Sequence, residues 1–85
     1  MSYYLYILKS LSAKKYYTGI SQNPQTRLEY HNNIETGFTS RYRPWEIIYT
    51  LEYNSKEDAH IAELKIKKWK SRKMIEKVIS GDIIP

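Results

Sequence analysis

No cysteine occurs among the 85 residues, which excludes disulfide bridges and thiolate metal ligands. No apolar run is long enough to span a bilayer and no signal-peptide pattern is present, so a soluble protein of the cytoplasm, with no membrane partner, is expected. Internal repeats, low-complexity tracts and dividing linkers are missing too, which leaves residues 1–85 to form one domain. A chain this short buries only about 60% of its unfolded surface, so its stability is expected to be ordinary. Acidic residues are scarce in one place. Between positions 65 and 77 Glu76 is the only acid, while seven of the fourteen Lys and Arg residues gather there. The formal charge of +5 is a weak sign of an anionic partner, whereas this concentration amounts to a local basic surface.

Hydrophobic periodicity organises what is there. Residues 3–9 predict a strand covered on both faces, because Tyr4, Tyr6 and Leu8 alternate with Leu5 and Ile7. Residues 15–21 predict its antiparallel partner, since the polar link "KSLSAK" is too short for a parallel crossover. Asn23 and Pro24 read as the cap and first position of a helix reaching about Asn33, with Arg27 and His31 on one face. Residues 34–45, with Gly37, Pro44 and several hydroxyls, read as a loop carrying Arg41, Tyr42 and Arg43. A third strand is expected over 46–53. Ser55 with Asp58 opens a helix buried along Ala59, Ala62, Ile66 and Trp69, and a last helix stops near Gly81. The order strand, strand, helix, strand, helix, helix predicts an α+β domain, a small antiparallel sheet flanked by helices.

Candidate chemistry follows from residue types. Hydrolysis of a phosphodiester needs a water, a proton acceptor, a cation for the phosphoryl oxygens and usually a divalent metal on carboxylate oxygen. Tyr6 and Tyr17 fall on neighbouring strands, Arg27 follows closely, and Glu63 borders an apolar helical stripe. Each also has a plainer reading. Strand tyrosines pack, Arg27 and His31 four apart can be a solvated helix face, and Glu63 can pair with Lys67 one turn on. Gly19 in a strand suggests close approach of another group. Trp45 and Trp69 read as core.

Taken together, these residues resemble the GIY-YIG nuclease superfamily over nearly the whole chain. "YLY" at 4–6 and "YTG" at 17–19 stand where the two tripeptides of that family stand, with ten residues between them. "NPQTRLEYHN" resembles the family's arginine helix, here with Arg27 and His31, and "EDAHIAELKIKKWK" the helix of its metal-binding glutamate, here Glu63. Tyr4 replaces the glycine of the first tripeptide and Thr18 the isoleucine of the second.

The resemblance implies a three-stranded antiparallel sheet between helices and metal-dependent endonucleolytic cleavage of DNA. By that implication Tyr6 is the general base, Tyr17 hydrogen-bonds a phosphate oxygen or the water, and Arg27 stabilises phosphoryl charge. His31 assists by hydrogen bonding, Glu63 holds one Mg²⁺ or Mn²⁺, and Gly19 permits close packing. Lys65, Lys67, Lys68, Lys70, Arg72 and Lys73, with Arg41 and Arg43, are expected to hold the DNA backbone. With no zinc finger or helix-turn-helix in the sequence, selection is expected to come from DNA structure, duplex, flapped or branched, as in repair or recombination, or from a partner protein. Two other readings belong to different classes: a non-catalytic nucleic-acid-binding module, and a small interaction subunit using the basic helix at 65–77.

Overall fold

The computed structural model describes residues 2–34, 36–69 and 71–85. In chain order it holds β1 (Tyr3–Ser10), β2 (Tyr16–Ser21), α1 (Pro24–Asn33), α2 (Phe38–Arg41), β3 (Trp45–Tyr53), α3 (Lys56–Trp69) and α4 (Arg72–Ser80). The three strands form an antiparallel sheet in the order β2-β1-β3. Among the described residues, no helix is long and apolar enough to cross a membrane.

β1 takes the centre because it is the strand with apolar side chains on both faces. Leu5, Tyr6, Ile7 and Leu8 are all buried. On one face Leu5 and Ile7 pack with Ala62 and Ile66 of α3 and Val78 of α4. On the other, Tyr6 and Leu8 pack with Trp45, and Tyr17 and Leu28 close around them. Strand alternation therefore separates the adjacent tyrosines of β2: Tyr16 joins the α3/α4 side and Tyr17 the α1 side. A bulge at Ile48 shifts the β1–β3 register between the pairs Ile7 with Tyr49 and Leu8 with Ile47.

The helix ends follow their local chemistry. Asn23 is extended and its Oδ1 accepts from the Thr26 amide at 3.2 Å, with Pro24 as the first helical residue. Ser55 Oγ accepts from the Asp58 amide, and Ser71 caps α4 by accepting from the Met74 amide. Gly81 ends α4 at φ +88°, a left-handed conformation that side chains disfavour. The β1–β2 link is held by Ser10, whose buried hydroxyl accepts from the amides of Ser12 and Ala13 and donates to the Tyr42 carbonyl at 2.7 Å.

Residues 34–45 are not wholly a loop. Phe38–Arg41 make one helical turn, α2, in which Thr39 is buried. Trp45 Nε1 donates to the Thr39 carbonyl at 2.8 Å. Asn32 then ties the end of α1 to the start of β3, accepting from the Trp45 amide at 2.7 Å and donating to its carbonyl at 3.1 Å. These contacts join segments that no local pattern connects.

Three tyrosines on the α3/α4 side make the fold sensitive to alkali. Burial raises the hydroxyl pKa of Tyr16, with Glu76 adding to the effect; burial alone raises that of Tyr49; burial, then Tyr49 and Asp58, raise that of Tyr53. A raised folded-state value favours the neutral phenol in the native state. Once pH passes the unfolded value of about 10, the unfolded chain sheds protons that the native one keeps, so stability present below pH 10 is lost above it. Urea midpoints are expected to hold steady up to about pH 9.5 and fall beyond it, with a shallower fall in Tyr49→Phe. Equal alkaline profiles for the two proteins would remove Tyr49 from this explanation.

Candidate active site

Tyr6 is placed by the centre of the sheet. Its register partner on β2 is Gly19, and a Cβ built there would lie 2.6 Å from Tyr6 Oη and 2.7 Å from Cζ. The phenol therefore lies across the one β2 position that offers no side chain. Its hydroxyl meets Nε2 of His31 at 3.0 Å, both groups being buried. His31, in the last turn of α1, is 0% exposed, so the reading of Arg27 and His31 as a solvated helix face fails for the histidine. The physical reason is the partner: a phenol on β1 satisfies a ring nitrogen that water would otherwise hold. Arg43 Nε donates to the His31 carbonyl at 2.8 Å and steadies the same turn.

Tyr17 completes the cluster. It stands opposite Leu8, two residues before Gly19 and on the same face. Its ring centroid is 4.6 Å from that of His31 and 6.4 Å from that of Tyr6, while Tyr6 and His31 are 6.1 Å apart. Tyr17 is half-buried where Tyr6 is 1% exposed, so Tyr17 is the phenol nearer solvent. Phe38, 46% exposed, lies 6.5 Å from the Tyr17 ring and packs on Tyr42 and Trp45.

The charged candidates stand on the helices, Arg27 on α1 and Glu63 on α3. Arg27 lies one turn before His31 on α1, with its guanidinium 4.6 Å from the Tyr30 ring, in a cleft shared with Ser21 and Lys56. Glu63 projects from α3 with its side chain 12% exposed. Its Oε2 is 2.9 Å from Lys67 Nζ and its Oε1 is 3.2 Å from His60 Nδ1. Lys67 is also the link to the tyrosines, its Nζ standing 5.9 Å from the Tyr17 ring.

A divalent cation fits this donor set in a limited way. No group of three or more His, Cys, Asp or Glu residues gathers among the described residues. Mg²⁺ is commonly held by one or two carboxylates, with water and substrate phosphate completing the shell. Glu63 offers one such carboxylate, and the Lys67 ammonium at its Oε2 shows that it attracts a cation.

The expected DNA-binding residues divide. Lys65, Lys67 and Lys68 are exposed on α3, Arg72 and Lys73 on α4, and Arg41 on α2. Arg43 is turned toward α1 instead, and Lys70 lies outside the described residues. Two lysines that the basic run 65–77 does not include, Lys14 and Lys15, come beside Lys67 and Arg72 in one groove. Their signal in the sequence is the "KK" at 14–15, one residue ahead of the second tripeptide.

The model of the GIY-YIG catalytic domain matches residues 2–76. Among solved structures, a UPF0213 protein from Bacillus halodurans, determined by NMR in solution, superposes with a TM-score of 0.60 at 28% identity. That alignment covers 94% of this chain and 84% of the other. None of the curated proteins matches it.

The contact between Gly19 and Tyr6 has a measurable coupling. Gly19→Ala is expected to destabilise the protein by about 1–3 kcal/mol through overpacking, read from urea unfolding. In a Tyr6→Leu background the same methyl should cost within about 0.5 kcal/mol. An equal cost in both backgrounds would mean that the glycine answers to something other than the phenol.

Proposed function

The chain belongs to the GIY-YIG catalytic-domain family, a nuclease family, and on that premise we propose that it is a divalent-metal-dependent endonuclease hydrolysing DNA phosphodiester bonds. The observation that carries the proposal is the buried Tyr6 hydroxyl hydrogen-bonded to His31 across Gly19, with Tyr17 packed on the same histidine.

A free phenol, with a pKa of about 10, is a poor proton acceptor at neutral pH unless its own proton has somewhere to go. His31 Nε2 supplies that place when the imidazole carries its proton on Nδ1. The attacking water enters beside Tyr17 and gives its proton to the Tyr6 oxygen as Tyr6 passes its own to His31 Nε2. The water oxygen bonds phosphorus, the bond to the leaving oxygen breaks, and the proton returns to that oxygen through solvent or the same pair. Tyr17 donates to a non-bridging phosphate oxygen and fixes the water's approach. Arg27 presents its guanidinium to charge gathering on the phosphoryl group, for which a planar fork of donors is suited.

Glu63 is the residue that would hold Mg²⁺ or Mn²⁺, which would supply Lewis-acid stabilisation of the phosphate oxygens. Lys67, now at Glu63 Oε2, would then be free to turn to phosphate. Lys65, Lys68, Lys73 and Arg41 are the surface contacts proposed for the DNA backbone. Gly19 acts by leaving room for the Tyr6 ring.

One observation favours a second reading, a non-catalytic nucleic-acid-binding module: the Glu63 carboxylate is already ion-paired with Lys67, and the His60 ring lies at its other oxygen. Nicking of supercoiled plasmid separates the two. With Mg²⁺ or Mn²⁺ the protein is expected to nick, EDTA to stop it, and Glu63→Ala and Tyr6→Phe each to lose about 10²–10⁴-fold in rate while remaining folded. Salt-sensitive binding by all three proteins with cleavage by none would establish the binding module instead.

A further inference from the structure

A groove of roughly 330 Å³ runs along the outer edge of β2, between that strand and the helices α3 and α4. Ile66 of α3 and Ile75 of α4 give it an apolar floor, Tyr16 stands along the strand side, and Tyr17, which packs on the α1 face, borders it at the edge of β2. Four cationic residues line it as well, Lys14, Lys15, Lys67 and Arg72, and no acidic residue does. Arg72 is tied across the groove, its Nη2 donating to the Lys14 carbonyl at 2.9 Å. The groove opens directly onto the candidate active site, because Tyr17 and Lys67 belong to both.

Phosphate binding explains the cations but not the floor. A continuous duplex turns its phosphates outward and keeps its bases stacked inside, so a cationic surface alone would serve it. An unpaired base exposes an aromatic face, which favours apolar and aromatic surroundings, while the phosphates on either side of it favour cations. Isoleucines below, Tyr16 beside and the cations Lys14, Lys15 and Arg72 around match that combination.

We infer that this groove seats an unpaired nucleobase of the DNA strand being cut, adjacent to the scissile phosphate, with the neighbouring phosphates on Lys14, Lys15 and Arg72. The substrate class is then DNA with unpaired nucleotides at the point of cleavage, and continuous duplex is a poorer ligand. The inference rests on the nuclease reading only for identifying the bound strand as the one cleaved.

The test uses isoleucine-methyl NMR of the whole protein without metal, titrated with the dinucleotide d(TpT) and with the same sugar–phosphate backbone lacking both bases. Saturable shifts of the Ile66 and Ile75 methyls are expected with d(TpT), and roughly tenfold weaker binding of the abasic ligand. Arg72→Ala should weaken d(TpT) several-fold while leaving the fold intact, and Ile75→Trp, which fills the groove, should abolish the Ile66 shift. Equal response to both ligands, silence of both methyls in the wild-type protein, or unaltered binding by Ile75→Trp would each overturn the inference. Cleavage is not read, so the two failures stay apart. Methyl shifts in a protein that never nicks DNA would sink the nuclease reading and keep the groove, and metal-dependent nicking with silent methyls would do the reverse.

Discussion

A phenol laid across a glycine is the constraint on which the rest of this structure depends. The Tyr6 ring occupies the volume that any side chain at position 19 would need, and its hydroxyl meets His31 of α1. A buried hydroxyl and a buried imidazole are each costly without a partner, and each removes that cost for the other. The pair therefore fixes the seating of α1 on the sheet as well as the polarity of the cluster beneath Tyr17. Arg43 on the His31 carbonyl and Asn32 on the Trp45 backbone hold the same helix end from two further sides.

The sheet works as a partition. Its central strand is apolar on both faces, and the alternation that buries Leu5 and Ile7 against α3 and α4 delivers Tyr6 and Leu8 to the α1 side. Burying one such aliphatic side chain is worth about 1.5–3 kcal/mol, so the α3/α4 face supplies the stability against which a polar cluster can be maintained on the other. β2 stands at the edge, and only there can residues from both layers meet. Lys67 of α3 reaches the Tyr17 ring around that edge, so a lysine paired with Glu63 on one side of the sheet stands near a tyrosine of the other.

Much of this was legible in the residues. Period-two alternation located all three strands, and Asn23–Pro24, Ser55 and Gly81 marked helix ends through chemistry that acts within a few residues. What escaped were consequences of long-range contact. α2 is invisible locally because its stability comes from the Trp45 indole on the Thr39 carbonyl. His31 looked exposed because α1 is polar nearly all round, and its burial is decided by a phenol 25 residues away in the chain. Gly19 did announce a close approach, and the group that approaches is the Tyr6 ring. Lys14 and Lys15 join Lys67 and Arg72 only after the hairpin end folds back beside α4.

The central claim is that Tyr6 and His31 accept the proton as one unit. It is tested most directly by comparing nicking rates of Tyr6→Phe, His31→Gln and the double variant with those of the wild-type protein, at one metal concentration and with folding checked for each. Groups that act as a unit are strongly non-additive, so the double variant should be no slower than the slower single one. Losses that multiply would show that the two side chains act independently, and the account of the proton's path would be contradicted.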